Sequence, residues 1–67
     1  MTYYTLFIQD NTGVWYDEFG SEFRTECLSE IEWGFEGTPR SRTKIINTKG
    51  TYEGLMDALD TLNGVLA

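Results

Sequence analysis

Thr2-Tyr3-Tyr4-Thr5-Leu6-Phe7-Ile8-Gln9 runs into Asp10-Asn11-Thr12-Gly13, and then into Val14-Trp15-Tyr16-Asp17-Glu18-Phe19. Both flanks are rich in β-branched and aromatic residues, which suit a pleated surface. Between them, Asp and Asn favour a turn through side-chain-to-backbone hydrogen bonds, and Gly supplies a left-handed conformation. A three-residue loop ending on Gly13 pairs Asp10 with Val14 and makes the stretch a β-hairpin. Opposed residues share a face. This register puts Tyr4, Leu6, Ile8, Val14 and Tyr16 on one face and Tyr3, Phe7, Trp15 and Phe19 on the other. Both faces are apolar, whereas a sheet with one wet side alternates apolar and polar residues. Either both faces are covered within the monomer, or one is covered by another chain. In the second case Tyr3, Phe7, Trp15 and Phe19 form the self-association surface of a homodimer.

After the hairpin the pattern changes period. Ser21 is placed to cap a helix starting at Glu22. Phe23, Cys27, Leu28, Ile31 and Phe35 make one apolar stripe, which Gly34, Gly37 and Pro39 terminate. Residues 37–42 connect to a third strand, Thr43-Lys44-Ile45-Ile46-Asn47-Thr48-Lys49, whose lysines suit a sheet edge. Gly50 turns the chain. Thr51 caps a second helix, with Tyr52, Leu55, Met56, Leu59, Leu62 and Leu66 as its stripe, and Asn63-Gly64 frays its end. The expected fold class is α+β, in the order ββαβα. It is a single domain over 1–67, with a three-stranded antiparallel sheet and two amphipathic helices packed on it. The simplest arrangement has both helices on one face.

A chain of 67 residues holds one domain. Aromatics are 15% of it, and their large buried area lets a short chain close a core. No apolar run approaches the roughly 20 residues that span a bilayer. The first residues carry no positively charged side chain, so no secretory leader is expected. One cysteine cannot form an internal disulfide, which fits a reducing compartment; the expected location is the cytoplasm. Eleven acids against five Lys and Arg give a net charge of −6. That balance opposes nucleic acid or an anionic membrane as direct ligand and favours a basic partner, or solubility alone.

The residue types argue against catalysis. There is no histidine, which removes the commonest general base and most metal sites. Cys27 lies on the apolar stripe and reads as core. Asp17 and Glu18 are adjacent in a strand and point to opposite faces, so they are no carboxylate pair. The glycines are isolated and form no phosphate loop. The expectation is a binding protein with no catalytic residue, metal or cofactor.

Charge is segregated: residues 1–36 carry −7, residues 37–50 carry +4, and residues 51–67 carry −3. Glu22, Glu26 and Glu30 fall at i, i+4 and i+8, a row on one side of the first helix. With Trp33, which is off the apolar stripe, and Glu36, they form either a solvated face or a partner-binding face for a basic protein surface. Arg40, Arg42 and Lys44 either guard the edge strand and pair with acids, or cradle an anion such as a nucleotide phosphate with Trp33 or Trp15 stacking a base.

With Val14-Trp15-Tyr16-Asp17-Glu18-Phe19-Gly20 in a hairpin, an acidic helix, a Thr43-Lys44-Ile45-Ile46 strand and a Leu-rich closing helix, the chain resembles the small accessory proteins of tailed phages. The resemblance covers most of the chain on generic motifs and carries no binding residue across. It implies a context, the cytoplasm of a host cell, and a mode of action: binding and disabling a host enzyme or defence complex, as anti-CRISPR proteins do. Sequestration of a nucleotide or signal molecule, and a homo-oligomeric structural role, are the alternatives.

Overall fold

The computed structural model describes residues 2–64. Strands β1 (Tyr4–Gln9) and β2 (Trp15–Ser21) form the hairpin, and helix α1 (Arg24–Gly34) follows. A short 3-10 turn at Arg40–Arg42 leads into strand β3 (Thr43–Asn47), and helix α2 (Tyr52–Asn63) comes last. The sheet order is β2-β1-β3 with both pairings antiparallel, so the first strand is the central one. This is the α+β, ββαβα arrangement. Among the described residues no helix is long and apolar enough to cross a membrane.

The hairpin loop has the geometry its residues dictate. The Asp10 amide donates to the Val14 carbonyl at 2.9 Å, and the Gly13 amide to the Asp10 carbonyl at 3.1 Å. Gly13 has φ +92°, a region that residues with a β-carbon rarely enter. Asp10 Oδ1 accepts from the Thr12 hydroxyl at 2.6 Å, the Thr12 amide at 2.8 Å and the Val14 amide at 3.1 Å. The Thr12 hydroxyl and these amides together hold the Asp10 carboxyl below its ordinary range, against a smaller opposing effect of desolvation.

Further along β2 the register departs from a simple ladder. Phe7 faces Asp17, yet Leu6 faces Phe19, so Glu18 is an extra, bulged residue. An unbroken ladder would set Glu18 against Leu6, on an apolar face. The bulge replaces it there with Phe19 and leaves Glu18 exposed. Phe19 therefore belongs to the Leu6 face, not to the Phe7 and Trp15 face expected from the unbroken register.

Two cores result. Leu6, Cys27 and Ile31 are buried together, with Ile8, Phe19, Phe35 and Ile45 packed around them. Phe7, Trp15 and Ala58 are buried together, with Ile46, Leu55, Leu59 and Leu62 around them. Leu6 and Phe7 are neighbours in β1 and point to opposite faces, so α1 and α2 lie on opposite sides of the sheet. The expected placement of both helices on one face does not hold. The reason is width: three strands about 4.8 Å apart span roughly one helix diameter of 10–12 Å, so each face holds one helix. The molecule is 13 Å across in its narrowest direction. Of the two options for the two-faced hairpin, cover within the monomer is the one realised.

The helix ends also differ from expectation. Phe23, not Ser21, is the N-cap of α1, and it has no side-chain cap bond. Ser21 is the buried last residue of β2; its hydroxyl oxygen accepts from the Phe23 amide at 3.0 Å and donates to the Glu26 carboxylate. Helix α2 is better finished. Thr51 caps it, accepting from the Gly54 amide at 2.9 Å, and the Gly64 amide returns to the Asp60 and Thr61 carbonyls. Asn63 does not fray. Its side-chain amide accepts from the Trp15 amide at 2.8 Å and donates to the Trp15 carbonyl at 3.3 Å, fastening α2 to β2. At the other end of α2, a β-carbon on Gly54 would collide with the Thr48 carbonyl, whose carbon lies 2.9 Å from that position. Beside it, the buried hydroxyls of Thr5 and Thr48 bond each other at 2.7 Å. Tyr52 and Phe23, expected on apolar stripes, are exposed, and Leu66 lies outside the described residues.

Candidate partner-binding surface

The surface of α1 is built by one constraint. Cys27 and Ile31 must face β1, which fixes the rotation of the helix and turns Glu26, Glu30 and Trp33 onto one flank, at i, i+4 and i+7. Trp33 is 88% exposed, the most exposed of the large apolar residues among those described. Glu26 is exposed and Glu30 half-buried on the same flank. The chain turns after Gly34, and the turn presents Glu36 beside Trp33: both line an open groove of about 490 Å³ together with Glu32, Phe35 and Arg40.

The predicted row of Glu22, Glu26 and Glu30 is not continuous. Glu22 sits in the bend before α1, because β2 runs to Ser21 and the helix starts only at Arg24. Glu26 is held by the Ser21 hydroxyl at the helix start. The carboxylates that share a groove with Trp33 are Glu32 and Glu36, while Glu30 and Glu26 lie about one and two turns before it on α1. Glu32 escaped the sequence reading because only the i, i+4 spacing was followed.

The other predicted sets disperse. Arg42 donates from Nη1 to Asn11 Oδ1 at 3.1 Å, tying the connector to the hairpin loop. Lys44 places Nζ 5.9 Å from the centre of the Trp15 ring, over the α2 face. Arg40 lies along the α1 groove. The three cations therefore do not form one cradle, since Lys44 and Arg42 are engaged at separate places. Arg40 borders one groove with Lys44, whose ammonium points to the other face, and with Arg24, in the first turn of α1. Its position four before Leu28 and seven before Ile31 was the available signal. The set Tyr3, Phe7, Trp15 and Phe19 is no single surface either: Phe7 and Trp15 are buried beneath α2, and Phe19 is on the opposite face.

Cys27 is fully buried, with Sγ 3.7 Å from the Tyr4 carbonyl oxygen. Burial pushes its thiol pKa up, the neighbouring Glu26 charge adds to that, and Arg24 opposes it. A raised pKa in a closed core leaves little thiolate. Among the described residues no group of three acidic or sulfur side chains is placed to hold a metal ion.

No family model matches the chain, and no curated protein or solved structure matches it either.

Proposed function

We propose that the protein acts by stoichiometric binding to a partner protein, through the flank of α1 that carries Trp33 with Glu26 and Glu30, and the following turn that carries Glu36. The observation that carries this reading is the exposure of Trp33. An indole offers roughly 150–250 Å² of area. At about 25 cal/mol per Å², covering about 200 Å² contributes on the order of 5 kcal/mol before ordering costs. Left in water, the same area contributes nothing to the fold. Tryptophan in a ring of polar groups is the residue pattern of interface hot spots.

The carboxylates define the partner's chemistry. They steer a basic surface toward the indole and raise its association rate, an effect that salt screens. Basic surfaces of this kind belong to proteins that hold nucleic acid. With the resemblance to phage accessory proteins as context, the partner is a host nucleic-acid-processing or defence complex, and the action is occlusion of its basic site in the host cytoplasm.

The test is paired capture from host lysate with the natural protein and with a Trp33→Ala, Glu30→Gln, Glu36→Gln variant, followed by mass spectrometry. The expected result is a protein with a basic nucleic-acid site that is retained by the natural chain, lost by the variant, and displaced by duplex DNA or RNA. Identical retention by both chains would end the proposal.

A further inference from the structure

The sheet has two edges, and they are finished differently. On the β2 edge, Asn63 takes both outward peptide groups of Trp15, the bulge at Glu18 breaks the row that follows, and Asp17 and Glu18 stand exposed. These are devices that block a further strand. Among the described residues the β3 edge has no such closure. The Thr48 amide donates to the Tyr3 carbonyl at 2.8 Å, which sets the phase of the ladder. Peptide groups alternate in direction along a strand. Lys44 and Ile46 therefore turn theirs toward β1, and Ile45 and Asn47 turn theirs outward, at the edge of the sheet.

An open groove flanks this edge on each face. On the α1 side a groove of about 250 Å³ is lined by Arg24, Arg40 and Thr43 over the apolar floor of α1, with no carboxylate in its wall. On the α2 side a groove of about 330 Å³ is lined mainly by apolar surface from Ile46, Ala58 and Leu62, with Lys49 and Asp57 also in its wall. An exposed edge between two side-chain grooves is the anatomy of strand addition: main-chain bonds give affinity, and alternate side chains fill pockets above and below.

We infer that the β3 edge accepts an extended acidic segment of a partner protein, in which acidic residues alternate with apolar ones. Successive side chains of an added strand point to opposite faces. One set meets Arg24 and Arg40 and is acidic; the other meets Ile46, Ala58 and Leu62 and is apolar. Four of the five Lys and Arg of a chain with net charge −6 border these two grooves. Lysine at an edge deters uncharged strands, and here the same charge selects an acidic one. The site is separate from the Trp33 flank and does not depend on its function.

The experiment uses the full chain and a short capped peptide of alternating Glu and Leu, with a Lys and Leu peptide as control, read by amide exchange in NMR. Saturable binding of the Glu peptide alone, with new protection of the Ile45 and Asn47 amides, is the expected result. An Arg24→Glu, Arg40→Glu variant should weaken that binding by tenfold or more. Unprotected Ile45 and Asn47 amides at saturation, equal binding of the Lys peptide, or protection of the same amides by self-association without peptide would each overturn the inference. Should the variant not fold, the contrast between the two peptides on the natural chain decides.

Discussion

Helices α1 and α2 cover opposite faces of the same three strands, yet they are built to different standards. Helix α2 has a threonine cap, a glycine that brings its first turn onto the Thr48 carbonyl, a closing Gly64, and the Asn63 amide fastening it to Trp15. Helix α1 has no side-chain cap bond at its N-cap, whereas the ends share a feature: neither helix has a basic residue in its last turn, and Glu32 in α1 and Asp60 in α2 stand near the negative ends. A carboxylate at that end works against the helix dipole. Helix α1 has Glu26 in its first turn to complement the dipole, but among the described residues no clamp like Asn63, and it leaves Trp33 exposed near its end. The difference lies in how the helices are fastened: α2 is tied at both ends, whereas α1 is held chiefly through Cys27 and Ile31 on its buried face.

Substitutions can break that contrast or sharpen it. The largest effect belongs to Phe7→Ala, beneath α2, which should cost about 3–5 kcal/mol. A domain of this size has only a few kcal/mol to lose, so urea denaturation should find much of the variant unfolded; a shift under 1 kcal/mol would refute the two-core description. Gly54→Ala comes next. Alanine favours an isolated helix over glycine by about 1 kcal/mol, but its β-carbon meets the Thr48 carbonyl. A net loss of about 1–3 kcal/mol is expected in thermal or urea melts, and a gain would remove the close approach from the account. Asn63→Ala leaves both outward groups of Trp15 without their partner and should cost about 1–2 kcal/mol. Faster exchange of the Trp15 amide is its distinguishing readout. Trp33→Ala is the smallest: stability should stay within about 0.5 kcal/mol, while the proposed partner is lost. A large loss of stability there would make Trp33 a structural residue and erase the contrast between the helices.

Much of the architecture was legible where chemistry is local. The Asp10 to Gly13 loop, the Thr51 cap and the strand from Thr43 each follow from side chains acting on their own backbone within a few residues, although the strand expected to reach Lys49 ends at Asn47 and Lys49 turns at φ 62°. The features that escaped are long-range. The bulge at Glu18 leaves no local signature, although an unbroken ladder already set a glutamate against Leu6 and so carried its own contradiction. The sides taken by the helices depend on the width of three strands, a property of the assembled sheet. The Asn63 clamp joins residues 48 apart, and the fit of Gly54 under Thr48 needs the packed helix. For the surface, periodicity alone put Trp33 off the apolar stripe. The wheel placed Glu22 in the row only because the helix start was set two residues too early, and Arg24 was passed over because one cation in an acidic segment forms no pattern in one dimension.

The position of β1 bears on how the molecule comes together in time. The central strand is the first made, and its two neighbours arrive at very different moments: β2 within a few residues, β3 only after a long excursion, as the Thr5–Thr48 hydroxyl pair, 43 residues apart, records. Local pairing is fast, while distant pairing waits on loop closure. The hairpin therefore stands for a while with the flank of its best apolar strand bare. Neither core can close before β3 docks, since each draws one of its isoleucines from that strand. Folding then hinges on a five-residue segment far along the chain, and that segment brings its own charge, Lys44 within it and Lys49 just beyond, to the new edge its docking creates.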